Sequence, residues 1–235
     1  MYYLLSVVLT IADALRPLFA ASATAAAIVV FTIAVRLLLH PLSRAAVRGE
    51  KTRQRLAPKM AELKRRHGDD RQRLVDATGE LYRTEGSTPL TGCLPMLLQL
   101  PVFFVMYRLF TTDSISGAAN PLLDDTLAGT PLGQHLSETL AAFGLASVQT
   151  LVFGVLLVAL AAVALWTYRR TRRGMADSPN PPEGPAAAVA RVMPLLSFGT
   201  LIVAAIVPLA AGIYLLATTT WTVTERAWLQ GRSAS

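Results

Sequence analysis

The charges of this chain fall in blocks, and the stretches between the blocks are apolar and long enough to cross a bilayer. This segregation restricts the fold more than any motif does. Apolar runs of about twenty residues match the ~30 Å hydrocarbon core when helical, and they are poorly suited to exposed surface in water. Composition agrees: 53% of the 235 residues are hydrophobic and 16% are charged, with a mean hydropathy of +0.45. Soluble domains carry about a quarter charged residues. The net charge of +7 lies between the apolar runs, as a topology signal does, and is not gathered as in a nucleic-acid-binding surface.

Residues 1–19, MYYLLSVVLTIADALRPLF, lack the positive n-region of a secretory signal and are interrupted by Asp13, Arg16 and Pro17. An amphipathic helix along the membrane interface is expected, with Tyr2 and Tyr3 near the headgroups; a cleaved signal is the alternative. The first span is expected over 20–42. Its stretch FTIAVRLLLHPLS, Phe31 to Ser43, holds an arginine, Arg36, inside an otherwise apolar run.

Residues 43–88 are dense in charge yet keep a helical period, with Leu56, Met60 and Leu63, then Leu74 and Leu81, on one face. His67-Gly68-Asp69-Asp70 reads as a helix stop followed by an N-cap, which predicts a helical hairpin. Twelve Lys and Arg against seven acidic residues place it on the cytoplasmic side. A second span is expected over 89–111, with Pro95 and Pro101 tolerated because neighbouring helices re-satisfy the freed carbonyls. The loop 112–145 contains Asp113, Asp124, Asp125 and Glu138 and no Lys or Arg, so it is expected outside.

A third span, 146–168, leads into the basic cluster YRRTRRG and a cytoplasmic loop over 169–188, rich in Pro, Gly and Ala. The last apolar region is about 60 Å long as helix, twice the hydrocarbon thickness, and must form two spans. Pro208 divides it into 189–207 and 208–228, with a cytoplasmic tail over 229–235. The expected fold is therefore an all-α polytopic membrane protein with five transmembrane helices and a cytoplasmic helical hairpin after the first span. The N-terminus is expected outside and the C-terminus inside, in a plasma (inner) membrane.

Little in the chain supports an enzyme. Cys93 is the single cysteine, and His40, His67 and His135 are scattered without metal-ligand spacing. There is no Ser/His/Asp pattern, nucleophile elbow or glycine-rich phosphate loop. No catalytic residue, metal site or cofactor is expected, and an intramembrane protease is disfavoured.

Taken together, several motifs carry a resemblance. Arg36 precedes His40-Pro41-Leu42; the hairpin LAPKMAELKRRHGDDRQRLVDATGELYRTEG follows; PLTGCLPMLLQLPVFFVMYRLF comes directly after it; and MPLLSFGTLIVAAIVPLAAGIYLLATTTW stands near the end. From about Ala20 to Leu229 the chain resembles the YidC/Oxa membrane protein insertases. The five core spans without a large extracytoplasmic domain look like the shorter Gram-positive type. Thr88-Pro89 stands where the family often has Asn-Pro, and no N-terminal lipoprotein cysteine is present, so a lipid anchor is not expected.

The resemblance implies a chaperone-like insertase for nascent membrane proteins, working with or beside the Sec translocon and in contact with membrane lipids. Ribosome and signal recognition particle are further implied partners, although the short ending RAWLQGRSAS offers little to tether a ribosome. No specific nucleic acid is expected as a partner. It also implies a role for Arg36 in a hydrophilic groove that draws in the short, often acidic tail of a substrate before its apolar segment slides into lipid.

A charge near the centre of a membrane helix costs at least ~2.5–3.5 kcal/mol, so Arg36 needs a compensating role or contact. It could snorkel to the cytoplasmic headgroups, about 10 Å away along the helix at Ser43. A structural ion pair is the other bland explanation, but the remaining spans are expected to offer no buried carboxylate. Gln99 could line the groove or bond backbone freed by a proline. Thr218, Thr219 and Thr220 bring hydroxyls into the last span, where such groups more often bond their own i−4 carbonyls. Tyr214, Thr219 and Trp221 join Arg36 and Gln99 as expected groove residues, with Trp221 equally suited to anchoring at the interface. The hairpin is either a lipid-touching topology determinant or a mobile landing surface. Two alternatives for the whole chain are a Sec-accessory structural subunit and a small anionic-solute transporter; the latter predicts repeats or a second buried charge.

Overall fold

The computed structural model describes residues 2–68, 70–86, 104, 107–112, 114–115, 118–176 and 192–231. Gln99, Cys93 and most of the expected second span lie outside these residues. The described chain is predominantly helical and divides into two compact units.

The first unit comprises Met1–Leu38 and Val102–Glu225. Helix α1 (Tyr2–Phe19) joins α2 (Ala23–Leu38) through a 3-10 turn at Ala20–Ser22, and the two helices pack together. Leu5, Val8 and Ala12 recur every three or four residues and form the buried stripe of α1, as the helical period requires. Ala27, Ile28 and Phe31 supply that of α2. An exposed ion pair, Arg16 Nε to Asp13 Oδ1 at 3.3 Å, accounts for the two charges in α1.

Residues 107–111 are helical. Two short antiparallel pairs follow: β1 (Ser114–Ile115) with β2 (Ala118–Ala119), and β3 (Thr126–Leu127) with β4 (Thr130–Pro131). Between the pairs lies the single turn α5 (Pro121–Asp124); α3 and α4 belong to the second unit and are described below. The tip between β3 and β4 is Ala128-Gly129, with φ of 50° and 77°, the left-handed pair that a tight two-residue hairpin needs. After it come α6 (Leu136–Phe143), α7 (Val148–Ala176), a 3-10 turn at Met193–Phe198, α8 (Gly199–Ile206) and α9 (Leu209–Gly231).

Helix α7 has 29 residues and is long and apolar enough to cross a membrane. Only one face of it is buried, through Phe153, Leu156, Leu160 and Ala164. Leu151, Val155 and Val158 on its other side are exposed, as are Ile202 and Ile206 of α8. Apolar side chains on both faces of a helix fit a hydrocarbon surrounding, where the outward face loses nothing. α2 is shorter at 16 residues and α8 has eight, while the 23-residue α9 carries Glu225 and Arg226 near its end. Gly212 lets α9 approach α7 closely: a Cβ there would come within 2.6 Å of Leu156 Cδ2.

The segment between α5 and α6 is stitched to the start of α9. Ala210 N donates to Leu132 O at 2.8 Å, and Leu209 N donates to Gln134 O at 3.1 Å. An α-helix begins with amides that have no partner inside it, and here two find carbonyls of the hairpin segment. Thr24 Oγ1 donates to Asp125 Oδ2, joining the same segment to the start of α2. Asn120, 2% exposed, donates from Nδ2 to Leu109 O at 2.8 Å and Thr112 O at 3.0 Å, and its Oδ1 accepts from Leu122 N at 3.3 Å. One side chain thus closes the end of one helix and opens the next. In α6, Glu138 reaches back to His135 N at 3.1 Å, and this bond holds its carboxyl below the usual glutamate range.

The second unit comprises Leu39–Pro101 and Arg226–Ser235. Its helices α3 (His40–His67) and α4 (Arg71–Thr84) pack on each other. Pro41 sits in the first turn of α3, where a missing N–H costs nothing. Asp70 caps α4 by accepting from Arg73 N at 3.0 Å. Just past α4, Glu85 bonds two cations of α3, Lys59 Nζ at 2.5 Å and Arg55 Nη2 at 2.8 Å. The Lys59 bond is the main reason its carboxyl is held below the usual glutamate range. Leu56 is fully buried, while most charged side chains of the pair are exposed.

Candidate functional site

Arg36 stands in the last turn of α2 and is half-buried. A cation suits this end of a helix, where the carbonyls lack intrahelical partners. Its Nε donates to Thr218 Oγ1 of α9 at 2.9 Å, and its Nη2 donates to the same oxygen. Two accepted bonds use both lone pairs of that hydroxyl. Tyr214 is 4% exposed, and its ring lies against Phe110 with centroids 6.0 Å apart.

Further along the same face, Trp221 Nε1 donates to Glu225 Oε2 at 3.1 Å. Thr218 and Glu225 are each 9% exposed. The expectation that no buried carboxylate accompanies Arg36 is therefore corrected. The carboxylate is Glu225, which α9 carries on the stripe Tyr214, Thr218, Trp221, Glu225. That i, i+4, i+7, i+11 spacing was visible in the sequence and could have assigned the four residues to one face.

Of the expected groove residues, Arg36, Tyr214 and Trp221 belong to this constellation. Thr219 does not bond Arg36: its hydroxyl donates back to Leu215 O at 2.7 Å and Leu216 O at 3.2 Å, the local bonding that competes for such side chains. Thr218 takes its place as the arginine's partner. Gln99 is outside the described residues. No group of His, Cys, Asp or Glu suited to a metal ion occurs among the described residues. The arrangement offers a cation for an anionic group, three hydroxyl and indole groups beside it, and no nucleophile with an adjacent base.

A model of the 60Kd inner membrane protein family matches residues 17–234. The chain is similar to the membrane protein insertase YidC of Allorhizobium ampelinum, with 50% identity over 82 residues, 35% of this chain and 13% of that protein. It is also similar to YidC of Shewanella woodyi, at 48% over 82 residues, and of Methylobacillus flagellatus, at 46% over 81 residues. The match to the Shewanella protein covers 35% of this chain, that to the Methylobacillus protein covers 34%, and each covers 15% of the relative. The family match takes in both α2 with Arg36 and the whole of α9 with its polar stripe. The chain belongs to the 60Kd inner membrane protein family, the YidC/Oxa membrane protein insertases.

Proposed function

We propose that this chain integrates nascent membrane proteins into the bilayer by receiving the polar tail of a substrate at Arg36 while the substrate's apolar segment passes into lipid. The observation that carries this reading is the half-buried guanidinium of Arg36, held on an otherwise apolar helix by Thr218. A cation in such a place lowers the cost of bringing a carboxylate part of the way across, because the attraction strengthens as the surroundings lose water. Transfer of the apolar segment into hydrocarbon supplies the driving force, at about 25 cal/mol per Å² removed from water. No covalent step and no nucleotide are required.

The membrane arrangement belongs to the same proposal. Five spans, an outside N-terminus, an inside C-terminus and a cytoplasmic α3–α4 hairpin are supported by the charge of each connecting segment. The hairpin would meet substrates, lipid headgroups, the signal recognition particle or the ribosome before the groove does, and the Sec translocon is the expected neighbour.

The test is insertion into proteoliposomes containing only this protein, with a single-span substrate bearing a short acidic N-terminal tail. Wild type is expected to insert it, Arg36→Ala to fail and Arg36→Lys to retain most of the yield. Equal insertion by all three would remove Arg36 from the mechanism. Absence of insertion by wild type would make the protein an accessory to another insertion machine.

A further inference from the structure

A topology signal needs only more cations on one side of the membrane than on the other, yet the arginines that end α7 are held in a particular arrangement. The helix runs unbroken through Arg169, Arg172 and Arg173 to Ala176. At about 100° per residue, these three and Trp166 fall within an arc of about 120°, with Arg170 at its edge. Trp166, Arg169, Arg172 and Arg173 are all exposed. Arg172 is also fixed in place: its guanidinium carbon lies 5.7 Å from the centroid of the Tyr168 ring, and its Nη1 donates to the Tyr168 hydroxyl at 3.2 Å. Tyr168 in turn rests on Phe198 of the 3-10 turn Met193–Phe198, with ring centroids 5.8 Å apart. That turn packs on α7 and exposes Met193, Leu195 and Leu196.

Like charges this close on one helix repel, and among the described residues no carboxylate is paired with Arg169, Arg172 or Arg173. The hairpin differs: Arg55, Lys59, Arg66, Arg73 and Arg83 each meet a carboxylate within it. Depth decides which anion suits the α7 face. From Val148 to Trp166 the helix rises about 27 Å, close to the ~30 Å hydrocarbon core, so Trp166 stands where an indole favours the interface. Arg169 follows about 4.5 Å later, within the headgroup layer, and Arg173 about 10 Å later, a distance over which an arginine side chain reaches back. Phospholipid phosphates lie at that level, whereas a nucleic acid would have to enter the headgroup layer to meet Arg169. We propose that Arg169, Arg172 and Arg173, with Trp166 at the hydrocarbon edge, form a binding site for anionic phospholipid headgroups. The guanidinium forks take the phosphate, and the acyl chains lie along the exposed apolar side chains of α7 and the neighbouring turn. The site rests on α7 crossing the bilayer, as proposed above.

The experiment uses the full chain in nanodiscs of mixed phosphatidylcholine and phosphatidylglycerol, with a trace of one lipid or the other carrying a diazirine at the top of an acyl chain. Crosslinks to residues 151–176 are mapped by mass spectrometry, and the quantity read is the ratio of phosphatidylglycerol to phosphatidylcholine adducts at equal label. Wild type is expected to favour phosphatidylglycerol, and the triple variant Arg169→Gln, Arg172→Gln, Arg173→Gln to lower the ratio about tenfold. Tyr168→Leu keeps every charge but releases Arg172, and it is expected to lower the ratio about threefold. A wild-type ratio near one, or a ratio that the triple variant leaves unchanged, overturns the proposal. So does an unchanged ratio in Tyr168→Leu, since the arginines would then act as diffuse charge. Loss of ribosome co-sedimentation in the triple variant with the lipid ratio intact would assign the face to RNA and overturn it likewise. Adducts of both lipids along residues 151–165 test the span separately. Their absence removes the membrane crossing and the site with it, whereas their presence without a phosphatidylglycerol preference removes the site alone.

Discussion

Arg36 gives two of its N–H groups to one acceptor, the Thr218 hydroxyl, with the Nε bond at 2.9 Å. The fork is thereby pinned to α9 by one oxygen. Thr218→Val keeps the shape and removes the acceptor. It is expected to cost about 1–3 kcal/mol in thermal unfolding in detergent and to lower insertion of an acidic-tailed substrate, while Thr218→Ser retains both. Equal behaviour of Val and Ser would show that the hydroxyl does not orient the arginine.

Asn120 joins two helix ends through three hydrogen bonds from one buried amide. Asn120→Ala leaves the carbonyls of Leu109 and Thr112 without that donor and uncaps α5, at an expected cost of about 2–4 kcal/mol. Asn120→Asp keeps the cap oxygen but loses the donor, and it is expected to be nearly as harmful. Unfolding midpoints of the three proteins in one detergent decide the matter.

Thr130 is fully buried, and its hydroxyl has no hydrogen-bond partner among the described residues. Burying a hydroxyl without a partner is unfavourable, and valine has nearly its shape. Thr130→Val is therefore expected to raise stability by about 1 kcal/mol. A lower unfolding midpoint would mean that the hydroxyl serves a partner after all.

Glu85 ties the end of α4 to Lys59 and Arg55 of α3. Its folded pKa is depressed, chiefly by the Lys59 bond, so its contribution is present above the unfolded value of about 4.3 and is lost as pH falls through the lower folded value. Amide exchange near residues 81–86 is expected to quicken as pH falls below the glutamate range, after correction for intrinsic rates. Glu85→Gln should show the fast exchange at neutral pH as well. Identical protection in the two proteins at neutral pH would assign the contact no role in holding the helices together.

What the sequence disclosed and what it hid follow from geometry. Arg36 stood out because a charge in an apolar run is visible without knowing its surroundings. The α3 and α4 pattern was equally plain, since His67, Gly68 and Asp70 carry stop and cap chemistry locally. Which of three consecutive threonines meets Arg36 was not legible: adjacent residues on a helix point about 100° apart, and only the position of α2 selects Thr218 over Thr219. Glu225 was not counted as a buried carboxylate, although its spacing from Tyr214, Thr218 and Trp221 marked the face. The short β-pairs between residues 114 and 131 escaped notice because two-residue strands have no periodicity to read.

The stitching of Leu209 and Ala210 to Gln134 and Leu132 also bears on the order of assembly. In hydrocarbon, no solvent stands ready to satisfy the first amides of a helix. The carbonyls that meet them here belong to a segment translated well before α9, so each donor is synthesised after its acceptor. A protein proposed to settle the spans of others thus begins α9 on a template that an earlier segment has already laid down.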